Sequence, residues 1–253
     1  MVHFVGAGTG ATDLITVRGQ RLINEADVII YTGSLINKEL LDGVKFNCKL
    51  HDSAYMTLAE VIEVISQADK EGKDTVRLHT GEPSIYGAVR EQMDELDKLG
   101  IKYDSCPGVS ACFGAAADMN IEYTLPGVSQ TLIITRMEGR TPVPESENLK
   151  SLAAHKSSMA IYLSSGMLDK VQESLLEGGL KPETPTAIVY KATWPDEKIL
   201  KCELKDLYKT GCDNGIDRLA IVLVGDAIKH ASYDLSKLYD GSFATGYRDA
   251  KKD

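Results

Sequence analysis

Residues 3–31 read in the order strand, glycine turn, helix, strand, the start of a βαβ unit. His3-Phe4-Val5 leads into Gly6-Ala7-Gly8-Thr9-Gly10, then Ile15, Gly19, Leu22 and Ala26 recur at helical spacing, and Val28 to Tyr31 forms a short apolar run. Thr57-Leu58-Ala59-Glu60 has the capping-box pattern and predicts a helix toward Ala68, stopped by Gly72 before a strand over Thr75 to Leu78. Ser84 is expected to open a helix with Ile85, Val89, Met93 and Leu96 on one face. Tyr103 falls in a short strand, and Gly108-Val109-Ser110 leads into an alanine-rich helix around Ala115 to Ala117.

Pro126 and Gly127 read as a linker, after which the alternation resumes. Strands are expected over Leu132 to Thr135, Ala160 to Leu163, Thr186 to Tyr190 and Leu219 to Val224, with a helix from Leu168 to Leu176 ended by Gly178-Gly179. Repeated strand–helix alternation of this kind predicts an α/β chain. The expected parts are an N-terminal domain over 1–124, a second over 128–231, and a tail over 232–253. The tail's Tyr233, Leu238, Tyr239, Phe243 and Tyr247 among polar residues suit packing along a surface.

A chain of 253 residues, 43% of them hydrophobic, is long enough for one large or two modest globular domains, each able to bury a core. The longest apolar run, Leu219 to Val224, is far short of the ~20 residues that span a bilayer, and Met1-Val2-His3-Phe4 lacks the basic start of a signal segment, so a cytoplasmic protein is expected. A formal charge of −9 disfavours nucleic acid, which needs a basic stripe. The five cysteines, Cys48, Cys106, Cys112, Cys202 and Cys212, show no Cys-x-x-Cys spacing and are expected to be reduced thiols. No His, Cys or carboxylate cluster has metal-ligand spacing, so no protein-bound metal is expected.

Gly6, Gly8 and Gly10 invite comparison with the dinucleotide fingerprint Gly-x-Gly-x-x-Gly. The third glycine comes one residue early, and Tyr31-Thr32-Gly33 follows the second strand where an acidic ribose ligand would stand. A nicotinamide-dependent oxidoreductase is therefore disfavoured, and the loop alone reads as a tight turn.

Three segments together resemble the tetrapyrrole methylase superfamily: Val5 to Gly10 with Asp13 to Gly19, Thr80-Gly81-Glu82-Pro83-Ser84-Ile85-Tyr86-Gly87, and Cys106-Pro107-Gly108-Val109-Ser110-Ala111. Three more resemble its branch that methylates precorrin-4, or the cobalt form, at carbon 11: Thr135-Arg136-Met137-Glu138-Gly139-Arg140-Thr141-Pro142-Val143-Pro144, Tyr190-Lys191-Ala192-Thr193-Trp194-Pro195-Asp196-Glu197, and Ser236-Lys237-Leu238-Tyr239-Asp240. The resemblance runs from the first strand to the tail. Two positions depart from the pattern: Thr9 stands where many relatives carry proline, and Glu82 where many carry aspartate.

The resemblance implies two unlike α/β domains with a cofactor cleft between them, and S-adenosylmethionine as methyl donor, leaving S-adenosylhomocysteine. It also implies a precorrin-4-type tetrapyrrole substrate on the route to cobalamin, and a homodimer. Thr80, Gly81, Glu82, Ser110 and Ala111 are expected to hold the donor. Ile85, Leu163 and Ala192 fit either a pocket wall or ordinary core, since pocket walls are themselves mostly apolar.

Arg136 and Arg140, then Lys191, are the expected partners of the substrate's carboxylates, because guanidinium clamps a carboxylate with two parallel bonds. Glu138 is expected to orient the arginines, with proton transfer as an alternative; His79, at a strand end beside Thr80-Gly81, is expected to be a structurally satisfied histidine, with facing the macrocycle or accepting a proton as the alternatives. Trp194 and Tyr190 could stack on a flat ring or belong to the core. A donated sulfonium methyl is already activated, so positioning, worth ~7–11 kcal/mol at best, is the main task. Sister methylases acting on other corrin positions, a modified histidine or ribosomal RNA share the scaffold, as would a silent module that binds the donor without turnover.

Overall fold

A computed structural model describes residues 1–229 and 232–251. The expected end of the second domain at 231 and the last two residues of the tail lie outside the described residues. The chain divides into two compact units, one formed by Met1–Ala115 with Lys191–Glu197 and the other by Ala116–Tyr190 with Lys198–Asp253. The segment between two strands of the second unit thus belongs to the first.

The first unit is built from β1 (Val2–Gly6), α1 (Val17–Glu25), β2 (Val28–Tyr31), β3 (Lys49–Asp52), α2 (Leu58–Lys70), β4 (Thr75–His79), α3 (Val89–Leu99), β5 (Tyr103–Cys106) and the start of α4 (Ala111–Met119). Its sheet runs β3-β2-β4-β1-β5, and every pairing in it is parallel. Parallel sheets bury both faces, and the alternation along each strand serves two cores. Val2, Phe4, Val28 and Ile30 pack with Val61, Ile65 and Leu96 of α2 and α3. Val5, Ile29, Val76 and Leu78 pack on the opposite face with Ile23 and Ala26.

The helix ends follow local chemistry. Thr57 and Glu60 form the expected capping box, with Thr57 N donating to Glu60 Oε2 at 2.6 Å and Glu60 N to Thr57 Oγ1 at 3.3 Å. Thr16 caps α1 by accepting from Gly19 N, and Gly100, at φ 69°, closes α3 in the left-handed conformation that glycine favours.

One boundary differs from the sequence reading. The helix expected from Ser84 begins at Val89, because residues 84–88 turn back on themselves: Tyr86 has φ 56° and Ala88 φ 49°, and Gly87 lies so close that a Cβ there would fall 2.2 Å from Pro83 O. Ile85 sits in this turn.

The second unit contains β6 (Leu132–Arg136), α5 (Leu149–Ala153), β7 (Ser158–Tyr162), α6 (Leu168–Glu177), β8 (Pro185–Tyr190), β9 (Lys198–Glu203), α7 (Leu207–Asp213) and β10 (Ala220–Val224). Its sheet, β6-β7-β10-β8-β9, is parallel only between β6 and β7. Met159, Ile161, Ile188 and Val222 form a core with Leu168, Val171 and Leu175 of α6 and with Leu204 and Leu207. No helix among the described residues is long and apolar enough to cross a membrane.

Candidate functional site

In the first unit the chain leaves β1 toward β2, beyond β4, and leaves β4 toward β5, beyond β1. The two connections depart in opposite directions from the carboxyl ends of adjacent parallel strands. Such a switch point is where open α/β sheets open a crevice for ligands. The loops after β1, β4 and β5 meet here around three glycines.

Their approach leaves no room for side chains. A Cβ on Gly6 would lie 2.6 Å from both Gly108 N and Gly81 O, and one on Gly108 would lie 2.1 Å from Gly81 O. Ala7 N donates to His79 O and Gly81 N to Gly8 O, both at 2.8 Å. Glu82 joins two of the loops: its Oε1 accepts from Ser84 N and its Oε2 from Gly108 N, each at 2.9 Å. The Glu82 carboxylate thus holds the turn together.

Gly81 has φ 61°, and a Cβ there would meet nothing nearer than Ser110 Cα at 3.7 Å. The turn therefore leaves open space on this side, next to buried Ser110 and to Ala111 at the start of α4, while Thr80 is exposed and Ile85 half-buried. Residues 80–82, 85 and 110–111 are thus brought to one end of the sheet. A small ligand recognised through backbone groups fits this donor set.

His79, the last residue of β4, is buried and stacks on Phe4 with ring centroids 6.0 Å apart. Its Nε2 meets no hydrogen-bond partner among the described residues. Burial first, and the Arg77 charge second, push its pKa down to about 3, so the ring is neutral at ordinary pH and a weak proton acceptor.

The first glycine loop receives the 191–197 segment. Trp194 Nε1 donates to Thr9 O at 3.2 Å, and a Cβ on Gly10 would fall 2.1 Å from Trp194 Cδ1. Glycine is required at position 10 because the indole occupies that space. Trp194 is consequently a packing residue of this loop. Lys191 bonds Asp196 Oδ2 at 2.7 Å, and its Nζ lies 5.4 Å from the Trp194 ring centroid. Ala192 is buried.

In the second unit the carboxyl ends of β6 and β7 lie side by side, with Arg136 in register with Tyr162 and Met137 N donating to Ser164 Oγ at 2.8 Å. Arg136 is partly committed to its own loop: Nη1 donates to Met137 O and Thr141 O, and Nη2 to Pro142 O at 2.9 Å. Glu138 and Arg140 are exposed on that loop. Leu163 is 68% exposed and holds φ 53°, an unusual state for a leucine and the kind of local strain that gathers at functional sites. Sequence reasoning overlooked Thr193, whose φ of 67° and bond to Thr9 no periodicity signals.

The model of the tetrapyrrole (corrin/porphyrin) methylases matches residues 1–208. The chain belongs to this family. A relative from Methanocaldococcus jannaschii named cobalt-precorrin-4 C(11)-methyltransferase is 52% identical to this methylase over 99% of this chain and 97% of its own. One from Mycobacterium tuberculosis, named precorrin-4 C(11)-methyltransferase, is 41% identical over 94% and 95%. The X-ray structure of a cobalt precorrin-4 methyltransferase, described as a cobalamin biosynthetic enzyme, superposes with TM-score 0.88 at 43% identity, covering 90% of this methylase and 95% of that chain. The fold is shared more widely: a Thermus thermophilus uroporphyrin-III C-methyltransferase complexed with S-adenosylhomocysteine gives 0.76 at 21% identity, covering 90% and 98%.

Proposed function

We propose that this methylase transfers the methyl group of S-adenosylmethionine to carbon 11 of precorrin-4 or cobalt-precorrin-4 in cobalamin formation. The observation that carries the reading is the match, over nearly the whole of both chains, to relatives named for that reaction. The donor brings its methyl group on a sulfonium and needs no nucleophilic side chain from the protein. What the chain contributes is binding and orientation.

On the donor side, Thr80, Gly81, Ser110 and Ala111 bind through backbone and small side chains, and Ile85, Ala192 and Leu163 supply apolar contact. Glu82 acts by holding the turn that carries Gly81. On the substrate side, Arg136, Arg140 and Lys191 meet acetate and propionate carboxylates. The bonds of Arg136 to Thr141 and Pro142 support a second task for it, shaping the loop that presents Arg140. Glu138 orients this pair. The low proton affinity of His79 argues against it as the base. Cobalt, where present, belongs to the substrate.

Calorimetric titration with S-adenosylhomocysteine tests the donor assignment: one saturable site per chain is expected, and no binding removes it. We also propose a homodimer, as the resemblance implies, acting in the cytoplasm. Sedimentation equilibrium should then give twice the 27.5 kDa chain mass, and a single-chain mass would refute the dimer.

A further inference from the structure

Thr193 is a β-branched residue held at φ 67°, where such side chains are rarely found. A state of this kind persists only where its surroundings over-determine it. Four contacts do so within the first unit. Thr193 Oγ1 lies 2.5 Å from Thr9 Oγ1 and accepts from Ala11 N at 3.0 Å. Thr193 N donates to Glu197 Oε2 at 3.0 Å. Its methyl lies against Gly114, where a Cβ would come within 3.0 Å of Thr193 Cγ2 and 2.7 Å of Thr9 Cγ2. Trp194, the next residue, closes on Thr9 O and Gly10.

The residues so fixed are the neighbours of Ala192 and Lys191, and Lys191 too holds positive φ, at 49°. The first glycine loop spends its hydroxyl, its carbonyl and its missing side chain on this segment. We infer that Thr193 is a positioning residue: its hydroxyl latches the 191–197 segment to the loop after β1 and thereby sets the backbone of Ala192 for the methyl donor. The inference rests on the assignment of Ala192 to the donor site. Thr193 acts through Ala192 and takes no part in the chemistry.

The test is calorimetric titration of the full chain with S-adenosylhomocysteine, with steady-state kinetics beside it. Thr193→Val keeps shape and branching but lacks the hydroxyl, and Thr193→Ser keeps the hydroxyl. Thr9→Val removes the other half of the pair and serves should Thr193→Val not fold. Thr186→Val removes the hydroxyl bond from buried Thr186 of β8 to Cys202 O of β9, as a control for general loosening.

Thr193→Val and Thr9→Val are expected to weaken binding about tenfold and to raise KM for the donor with kcat changed less than about threefold. Thr193→Ser and Thr186→Val should stay within about twofold of the parent. Trp194, the sole tryptophan, should show altered emission in the two latch variants. Parent-like binding by Thr193→Val or Thr9→Val, or an equal loss in Thr186→Val, overturns the inference. Failure of the parent itself to bind is a separate result that overturns the donor assignment and this inference with it.

Discussion

Glu82 Oε2 accepts a 2.9 Å hydrogen bond from the backbone N–H of Gly108, and Oε1 of the same carboxylate accepts from Ser84 N at 2.9 Å. One side chain therefore joins the loop after β4 to the loop after β5. Glu82→Ala leaves both N–H groups without this acceptor, at a cost of about 1–3 kcal/mol. Glu82→Gln keeps one carbonyl acceptor and should lose less. Thermal unfolding checks the order: the alanine variant melts lowest, by roughly 2–4 °C for each kcal/mol lost.

Two of the glycines should respond very differently to one added methyl. In Gly108→Ala the Cβ would meet Gly81 O at 2.1 Å, backbone against backbone, so the strand ends must separate. In Gly81→Ala the space is open and the cost is that of φ 61°, about 1–2 kcal/mol. Gly108→Ala is expected to unfold well below Gly81→Ala in urea, and the reverse order would contradict the packing described.

Arg136 and Arg140 occupy one loop but are engaged differently. Arg136→Ala removes the bonds to Met137, Thr141 and Pro142 carbonyls, so the loop should become more open to proteolysis. Arg140→Ala, at an exposed position, should leave stability within about 0.5 kcal/mol. Both should weaken tetrapyrrole binding while S-adenosylhomocysteine affinity stays nearly intact; equal loss of both ligands would refute the substrate-side assignment.

His79 links folding to pH. Its pKa, near 6.5 for a free histidine, is pushed down to about 3 by burial and by Arg77. Between these values the unfolded chain binds a proton that the folded chain refuses. The contribution is therefore fully present above pH 6.5 and declines as pH falls toward 3, by at most about 1.4 kcal/mol per pH unit. His79→Phe should flatten this part of the acid branch, read as Tm between pH 7 and pH 4.

The strands of the first sheet were legible where they are apolar. Val28 to Tyr31 and Thr75 to Leu78 lie in β2 and β4, and both faces of a parallel sheet are buried. The edge strand Lys49–Asp52 carries a Lys-Leu-His-Asp string with no apolar run, and periodicity passes over it. Lys198–Glu203, antiparallel at the edge of the second sheet, is passed over because its Ile199-Leu200 pair is flanked by lysines and neither alternates nor extends into a run. Ser84 resembled a helix start because Ile85, Val89, Met93 and Leu96 keep helical spacing. The turn that displaces the helix to Val89 depends on contacts between Gly87 and Pro83 and on positive φ at Tyr86 and Ala88, which spacing does not encode.

The candidate residues stand out in the sequence through motif strings, and the structure shows how those strings pack. Gly6 and Gly108 are required by each other and by Gly81 O, and Gly10 by Trp194, a partner 184 residues away in the chain. Pairings at such separation leave no local signal. Arg136 read as a free carboxylate clamp, since three backbone carbonyls of its own loop cannot be foreseen from residue type.

The central claim is tested most directly by anaerobic incubation with isotopically labelled S-adenosylmethionine and either precorrin-4 or cobalt-precorrin-4, with the product's mass and the position of the new methyl group read by mass spectrometry and NMR. A single labelled methyl at carbon 11, with S-adenosylhomocysteine formed in equal amount, is the predicted result. Methylation at another ring position, or none from active substrate by a chain that binds the donor, would contradict it.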